Sequence, residues 1–193
     1  MVGAMHEAAK SAFVRKFEEK LNSLRARRSL FPTGSSIFGR PGGRSKEADG
    51  GYIPLSRRLE DDWPSFVIEV GVSESRAKLR RDAAFWITNS DGRTRVVIVL
   101  RVNRIHRRIL VERWEELPRI RPNRSTGNYT RIPRLVQSLT LNAGVKYEGL
   151  ALEIPAQKLY DGLPGNIPGG EFLFTPDDLN EFNTSIWVEF PEQ

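Results

Sequence analysis

Ser65-Phe66-Val67-Ile68-Glu69-Val70-Gly71 places one carboxylate inside an otherwise apolar run. Aromatic and β-branched residues at this density predict a short strand covered on both faces of a sheet. An ionised carboxylate in such a strand is costly unless it is paired or binds a metal. Glu69 therefore marks a site, and the rest of the chain has to supply its partners. A second stretch, Lys46-Glu47-Ala48-Asp49-Gly50-Gly51-Tyr52, sets acids beside another strand-like run and offers Asp49 as the second carboxylate.

The flanking sequence builds a sheet around these two stretches. Residues 4–27 predict one amphipathic helix, with Ala9, Phe13, Phe17, Leu21 and Leu24 at helical spacing. The loop 31–34 ends it. Residues 35–39 predict a strand, 40–44 a turn and 47–53 the hairpin partner, so that Asp49 lies on the second strand. Residues 55–62 form a polar connection to the strand 66–70. Ser73 or Ser75 then caps a helix running to about residue 87 on an apolar stripe of Leu79, Ala83 and Trp86. Residues 94–102 and 108–114 alternate as two paired strands. Past Pro118 the pattern weakens to an irregular loop over 118–133, a strand over 149–154 and a turn-rich loop over 161–170. Thr175-Pro176-Asp177-Asp178 is a strong helix start: a cap, proline at the first position, then acids in the first turn. That helix runs to about residue 187.

This order predicts an α/β (α+β) fold with a central mixed β-sheet flanked by helices. Residues 1–118 form the core, and 119–193 a C-terminal extension packed on the same domain.

Composition narrows the chemistry. The 193 residues suit one domain with a real core. There is no cysteine, which excludes disulfides and thiolate metal sites, and only His6 and His106 carry imidazoles, which excludes most zinc chemistry. A metal here would take oxygen ligands, as magnesium or manganese does. No secretory signal and no membrane-length apolar run is visible, so the expected location is intracellular, in cytoplasm or nucleus.

Residues 1–134 hold 28 basic against 15 acidic residues, a net of +13, whereas residues 135–193 hold 2 against 9, a net of −7. A basic, arginine-rich face is an electrostatic footprint for phosphate backbones, or else simply a solvated surface. The arginines placed to serve it are Arg40, Arg44, Arg76, Arg80, Arg121 and Arg124. The basic loop around the last two also includes Arg119, Tyr129, Arg131 and Arg134. Nucleic acid is thus the expected partner. The sequence is compatible with a homodimer and names no protein partner.

Ala48-Asp49, then Ile68-Glu69-Val70-Gly71-Val72-Ser73, then Lys78-Leu79-Arg80-Arg81-Asp82-Ala83-Ala84-Phe85-Trp86-Ile87 and the strand from Arg95 to Leu100 follow one another as they do in a known family. Over roughly residues 4–115 the chain resembles the PD-(D/E)XK, or restriction-endonuclease-like, superfamily, and most closely its Uma2-like branch. The resemblance implies a restriction-endonuclease-like core and a Mg²⁺- or Mn²⁺-dependent nuclease acting on DNA or RNA. It implies Asp49, Glu69 and the Val70 backbone carbonyl as metal ligands, with Glu7 of the first helix as an additional one. Two positions depart from the pattern: Ala48 stands for the proline before the Asp, and Gly71 for the lysine two residues after the Glu. The missing basic group is then assigned to Lys78 or to Arg81, one turn later on the same helix face. Arginine binds phosphate but cannot release its proton, so Arg81 would favour binding over catalysis.

Other readings stand beside this one. A catalytically inactive relative would serve as a nucleic-acid or protein-binding module. Asp49 beside Gly50-Gly51 is also a natural turn residue. Glu69 would be a purely structural carboxylate if paired with Arg95 or Arg101 on the next strand. His6 and His106 read as surface residues, and the four tryptophans as core or edge anchors.

Overall fold

The computed structural model describes residues 2–24, 30–34, 36–39, 42–57, 62–117, 131–162 and 170–191. The predicted helix extension 25–27, Arg40, and the loop residues Arg119, Arg121, Arg124 and Tyr129 lie outside them.

The chain begins with α1 (Val2–Ser23), followed by short strands β1 (Leu30–Pro32), β2 (Ile37–Gly39) and β3 (Ser45–Glu47). Next come β4 (Gly50–Pro54), β5 (Phe66–Val72), α2 (Arg76–Asn89), β6 (Val96–Asn103) and β7 (Arg108–Glu116). The remainder is β8 (Pro133–Asn142), β9 (Leu152–Pro155), α3 (Ala156–Leu159), β10 (Glu171–Phe174) and α4 (Pro176–Glu189). Six strands form the central sheet in the order β1-β4-β5-β6-β7-β8, with β5 and β6 parallel and the other pairs antiparallel. The predicted mixed sheet flanked by helices is what the structure contains. β9 and β10 pair separately, as do β2 and β3.

β5 is buried along its whole length because both faces of the sheet are covered. Phe66, Ile68, Val70 and Val72 face a core built with Ala9, Phe13, Phe17 and Leu21 of α1 and with Leu179, Phe182 and Ile186 of α4. Val67, on the alternate set, joins Val97 and Val99 of β6 beneath Leu79, Ala83, Trp86 and Ile87 of α2. Glu69 belongs to this second set by strand parity. α2 starts at Arg76, where the Ser75 hydroxyl accepts the Lys78 amide at 3.2 Å. At the other end of the chain, Thr175 and Asp178 form the reciprocal capping box of α4.

Four elements differ from expectation. The predicted hairpin strand 47–53 is two strands. β3 pairs with β2 in a small ribbon, the chain breaks at Ala48 and Asp49, and β4 then enters the main sheet. Asp49 thus sits at a strand junction rather than on a strand. β8, a ten-residue strand, completes the sheet where no element is expected. Gln137 interrupts its apolar alternation of Leu135, Leu139 and Leu141, and its other face is exposed, which leaves a weak sequence signal. β1 and β10 have only three and four residues, too few for a periodic pattern to register.

Candidate active site

β4 begins at Gly50, opposite Ile68 of β5. Two residues further along β5, the Asp49 carboxylate takes the place of a partner strand for Val70: its Oδ2 accepts the Val70 amide at 2.7 Å. The amide and carbonyl of a strand residue leave the chain on the same edge, so the Val70 carbonyl also opens toward this gap. His6 of α1 approaches Asp49 Oδ1 with its Nε2 at 3.2 Å, while its Nδ1 lies 3.5 Å from Glu7. Glu7 itself is largely exposed and paired with Lys10 at 2.6 Å. That bond to Lys10 draws its carboxyl below the ordinary value against a small opposing effect of burial, with His6 assisting.

Glu69, with 3% of its side chain exposed, lies on the α2 side of the same gap. The Trp86 indole donates to its Oε1 at 2.6 Å, and the Lys46 ammonium of β3 sits 3.0 Å from its Oε2. Burial pushes the Glu69 carboxyl up to about 7, Lys46 opposes this, and the nearby Asp49 charge adds to it. Burial also works against the Lys46 ammonium, but Glu69, Asp82 and Asp49 together hold it above its ordinary value. Lys46 reaches Asp82 of α2 at 3.6 Å as well. The ribbon that carries Lys46 is anchored by Phe38, whose ring packs against Trp63 at 6.0 Å and Trp86 at 5.8 Å. The same indole therefore supports the ribbon and binds the carboxylate.

Asp49 thus bonds the Val70 amide and lies near enough to Glu69 for its charge to act on that carboxyl, while Glu7 reaches Asp49 only through His6. Lys78 is bound to Glu74 at 2.6 Å and stands 4.0 Å from Asp82. Arg81 is exposed on α2, and Arg44 is exposed in the ribbon turn. Arg76 and Arg80 converge elsewhere, on the buried carboxylate of Glu112, at 2.5 and 3.4 Å. That carboxylate also accepts the Trp114 indole at 3.0 Å. Arg95 and Arg101 do not pair with Glu69. Arg95 binds Asp161 and the Tyr160 carbonyl, and Arg101 donates to the Glu74 carbonyl. His6 proves to be a half-buried neighbour of Asp49, whereas His106 is exposed.

Lys46, Trp86 and His6 are the site residues that the sequence did not point to. No local signal marks Lys46, because its approach to Glu69 depends on how the ribbon folds over α2. The break at Ala48-Asp49-Gly50-Gly51 was the one legible hint, since two glycines after an Asp often end or begin an element.

The donor set limits what the site can bind. Among the described residues no group of three or more His, Asp or Glu side chains could hold a metal ion. Zinc, which takes three or four protein ligands, does not fit. A magnesium-type ion keeps several waters and needs only one or two carboxylates, the number that Asp49 and Glu69 would supply. Each Glu69 oxygen would then share its remaining lone pair, since Trp86 and Lys46 already use one on each.

No family model matches the chain, and no curated protein does. Among solved structures, a candidate nuclease belonging to DUF820 from Anabaena variabilis ATCC 29413 is similar at a TM-score of 0.47 and 12% sequence identity. The similarity covers 93% of this chain and 82% of that one. Among the described residues, no helix is long and apolar enough to cross a membrane. By its own geometry the molecule is a mixed α+β domain with a two-carboxylate, one-lysine cluster at the point where two strands of its sheet part.

Proposed function

We propose that the protein is a metal-dependent, nuclease-like hydrolase of phosphodiester bonds in DNA or RNA. One observation carries this reading: a carboxylate at the β3–β4 junction and a carboxylate of β5, the latter buried at a cost in stability, lie close to a lysine where β4 parts from β5. Stability spent on an ionisable group is characteristic of functional sites. The resemblance of residues 4–115 to the PD-(D/E)XK superfamily supports the same reading.

Asp49 and Glu69 would hold a magnesium or manganese ion, with the Val70 carbonyl as a further oxygen donor. Such an ion supplies charge stabilisation at a phosphoryl oxygen and lowers the pKa of bound water. In the hydrolysis, a water oxygen forms the new bond to phosphorus and the bond to one sugar oxygen breaks. The proton released by the water is balanced by the one taken up by the leaving oxygen. The basic half of the chain would draw in the phosphate backbone.

The test is cleavage of plasmid, single-stranded DNA and RNA with magnesium or manganese, comparing wild type with Asp49→Ala and Glu69→Ala. Cleavage by wild type alone is expected. Equal activity in all three proteins would assign the cleavage to a contaminant.

A second reading, a catalytically inactive nucleic-acid or protein-binding module, is favoured by the Lys46 ammonium. It already balances charge among the carboxylates that a metal would occupy. That reading expects nucleic-acid affinity without cleavage, and affinity unchanged by metal removal.

A further inference from the structure

We infer that Lys46, rather than a residue of α2, is the site's basic catalytic group, the one that contacts the phosphoryl oxygen under attack. The inference rests on the nuclease reading above and names the residue that completes it.

Position 71 is filled by its neighbours: a Cβ there would lie 2.8 Å from both methyl carbons of Leu79 and 3.2 Å from Glu74 Oε2. The two methyl contacts are tighter than carbon atoms tolerate, so the buried Leu79 side chain of α2 would have to move before position 71 could carry a lysine. On α2 itself, Lys78 is held by Glu74 and lies half exposed on the outer side of Asp82. Arg76 and Arg80 are committed to Glu112.

Lys46 is placed differently. Its ammonium lies 3.0 Å from Glu69 and 3.6 Å from Asp82, and it senses the charge of Asp49. Among the described residues it is the cation paired with Glu69. It remains about a quarter exposed, enough to meet a ligand entering the gap. Its backbone is held by the pairing of Lys46 with Phe38, and Phe38 packs on Trp63 and Trp86. A lysine three residues before the first carboxylate thus arrives from a separate ribbon at the position that α2 and Gly71 cannot supply. There it donates to a phosphoryl oxygen and forms no covalent bond.

The experiment compares full-length wild type with Lys46→Met, Lys46→Arg, Lys78→Met, Arg81→Met and Asp49→Asn. It measures plasmid cleavage, Mn²⁺ affinity from the electron paramagnetic resonance of free Mn²⁺, and thermal unfolding. Lys46→Met is expected to lose about 100-fold in cleavage, the scale of removing one charge-stabilising donor, while binding Mn²⁺ at least as tightly as wild type. Lys46→Arg, which keeps the charge, should recover part of the rate. Lys78→Met and Arg81→Met should stay within about threefold, as expected of solvated surface cations.

Wild-type cleavage retained in Lys46→Met, or lost equally in Lys78→Met or Arg81→Met, would overturn the assignment while leaving the nuclease reading intact. So would a fall of Mn²⁺ affinity in Lys46→Met to the level of Asp49→Asn, because Lys46 would then only position the carboxylates. A wild type without Asp49-dependent cleavage would overturn the nuclease reading, and the assignment with it. Unfolding curves separate all of these from loss of the fold.

Discussion

Glu69 carries the clearest physical consequence at the scale of a single residue. Burial, reinforced by Asp49 and opposed by Lys46, raises its carboxyl from an ordinary 4.5 to about 7. Between those values the folded protein binds a proton that the unfolded chain has already released. Stability therefore falls as pH rises from about 4.5 to about 7 and stays reduced above it. Glu69→Gln removes that cost, and Lys46 retains Asp82 and Asp49 as counter-charges. Urea unfolding should show the variant more stable than wild type by about 2 kcal/mol at pH 8, with the gain shrinking toward pH 5. A Glu69→Gln protein less stable than wild type at pH 8 would mean that the Lys46 pair is a net stabilising contact. Asp49 behaves oppositely, because its carboxylate satisfies the buried Val70 amide. Asp49→Ala should cost about 1–3 kcal/mol, the penalty for an unpaired buried donor, and Asn, which keeps an acceptor oxygen, should cost less. Equal stabilities of the Ala and Asn variants in the same assay would show that this bond contributes nothing.

At the scale of elements, the site depends on two contacts between elements that do not adjoin in sequence. The first is α2 on β5, where Leu79 fills the space above Gly71. Gly71→Ala should destabilise by about 1–3 kcal/mol through overpacking, measured as a lower midpoint of chemical unfolding. An unchanged midpoint would show that α2 can shift, and would reopen position 71 to larger side chains. The second is the β2–β3 ribbon on α2. Its sequence is legible as a hairpin, and Asp49-Gly50-Gly51 hinted at the separation from β4 without saying which sheet each part joins. What breaks the strand is that β4 must pair with β1 and β5, while β3 pairs with β2 in a separate ribbon. Helices fared better: the stripes of α1 and α2, the start of α4 at Thr175 and Ser75 as one of two candidate caps of α2 were visible, because capping and 3.6-residue periodicity are local properties.

At the scale of the whole molecule, the C-terminal portion is tied to the core by charge as well as by apolar packing. Asp161 accepts Nε and Nη2 of Arg57 at 2.7 and 2.6 Å, binds Arg95, and receives the Ser56 hydroxyl at 3.0 Å. Arg57 leads the effects that hold the Asp161 carboxyl well below the usual carboxylate range, against a smaller opposing effect of burial. A depressed folded value means that this stabilisation is present above the unfolded carboxylate range and is lost as pH falls toward the folded value. Asp161→Asn would leave Arg57, whose side chain is 2% exposed, without its counter-charge. The expected cost is about 2 kcal/mol at pH 7, less than for a fully enclosed pair because Asp161 keeps some solvent. The difference from wild type should vanish in strong acid, and a pH-independent difference would point to lost packing instead. The charge asymmetry between residues 1–134 and 135–193 also acts over the whole molecule. If the basic portion binds phosphate backbones, affinity should fall steeply with salt, and a flat salt profile would rule that out.

The amino-acid sequence by itself determined the helices, the buried strand around Glu69, the mixed sheet and the oxygen-only chemistry open to a chain without cysteine. Each follows from local periodicity, capping or composition. It also singled out Glu69, because a carboxylate within an apolar strand is anomalous wherever the strand lies, and offered Asp49 beside a second strand-like run as its companion. Only the tertiary structure decided what surrounds them. Lys46, Trp86 and His6 reach the two acids from three different elements, and Arg76 and Arg80, which looked free, are turned toward Glu112. Side-chain partners across such distances are set by how elements pack, which no window of sequence contains.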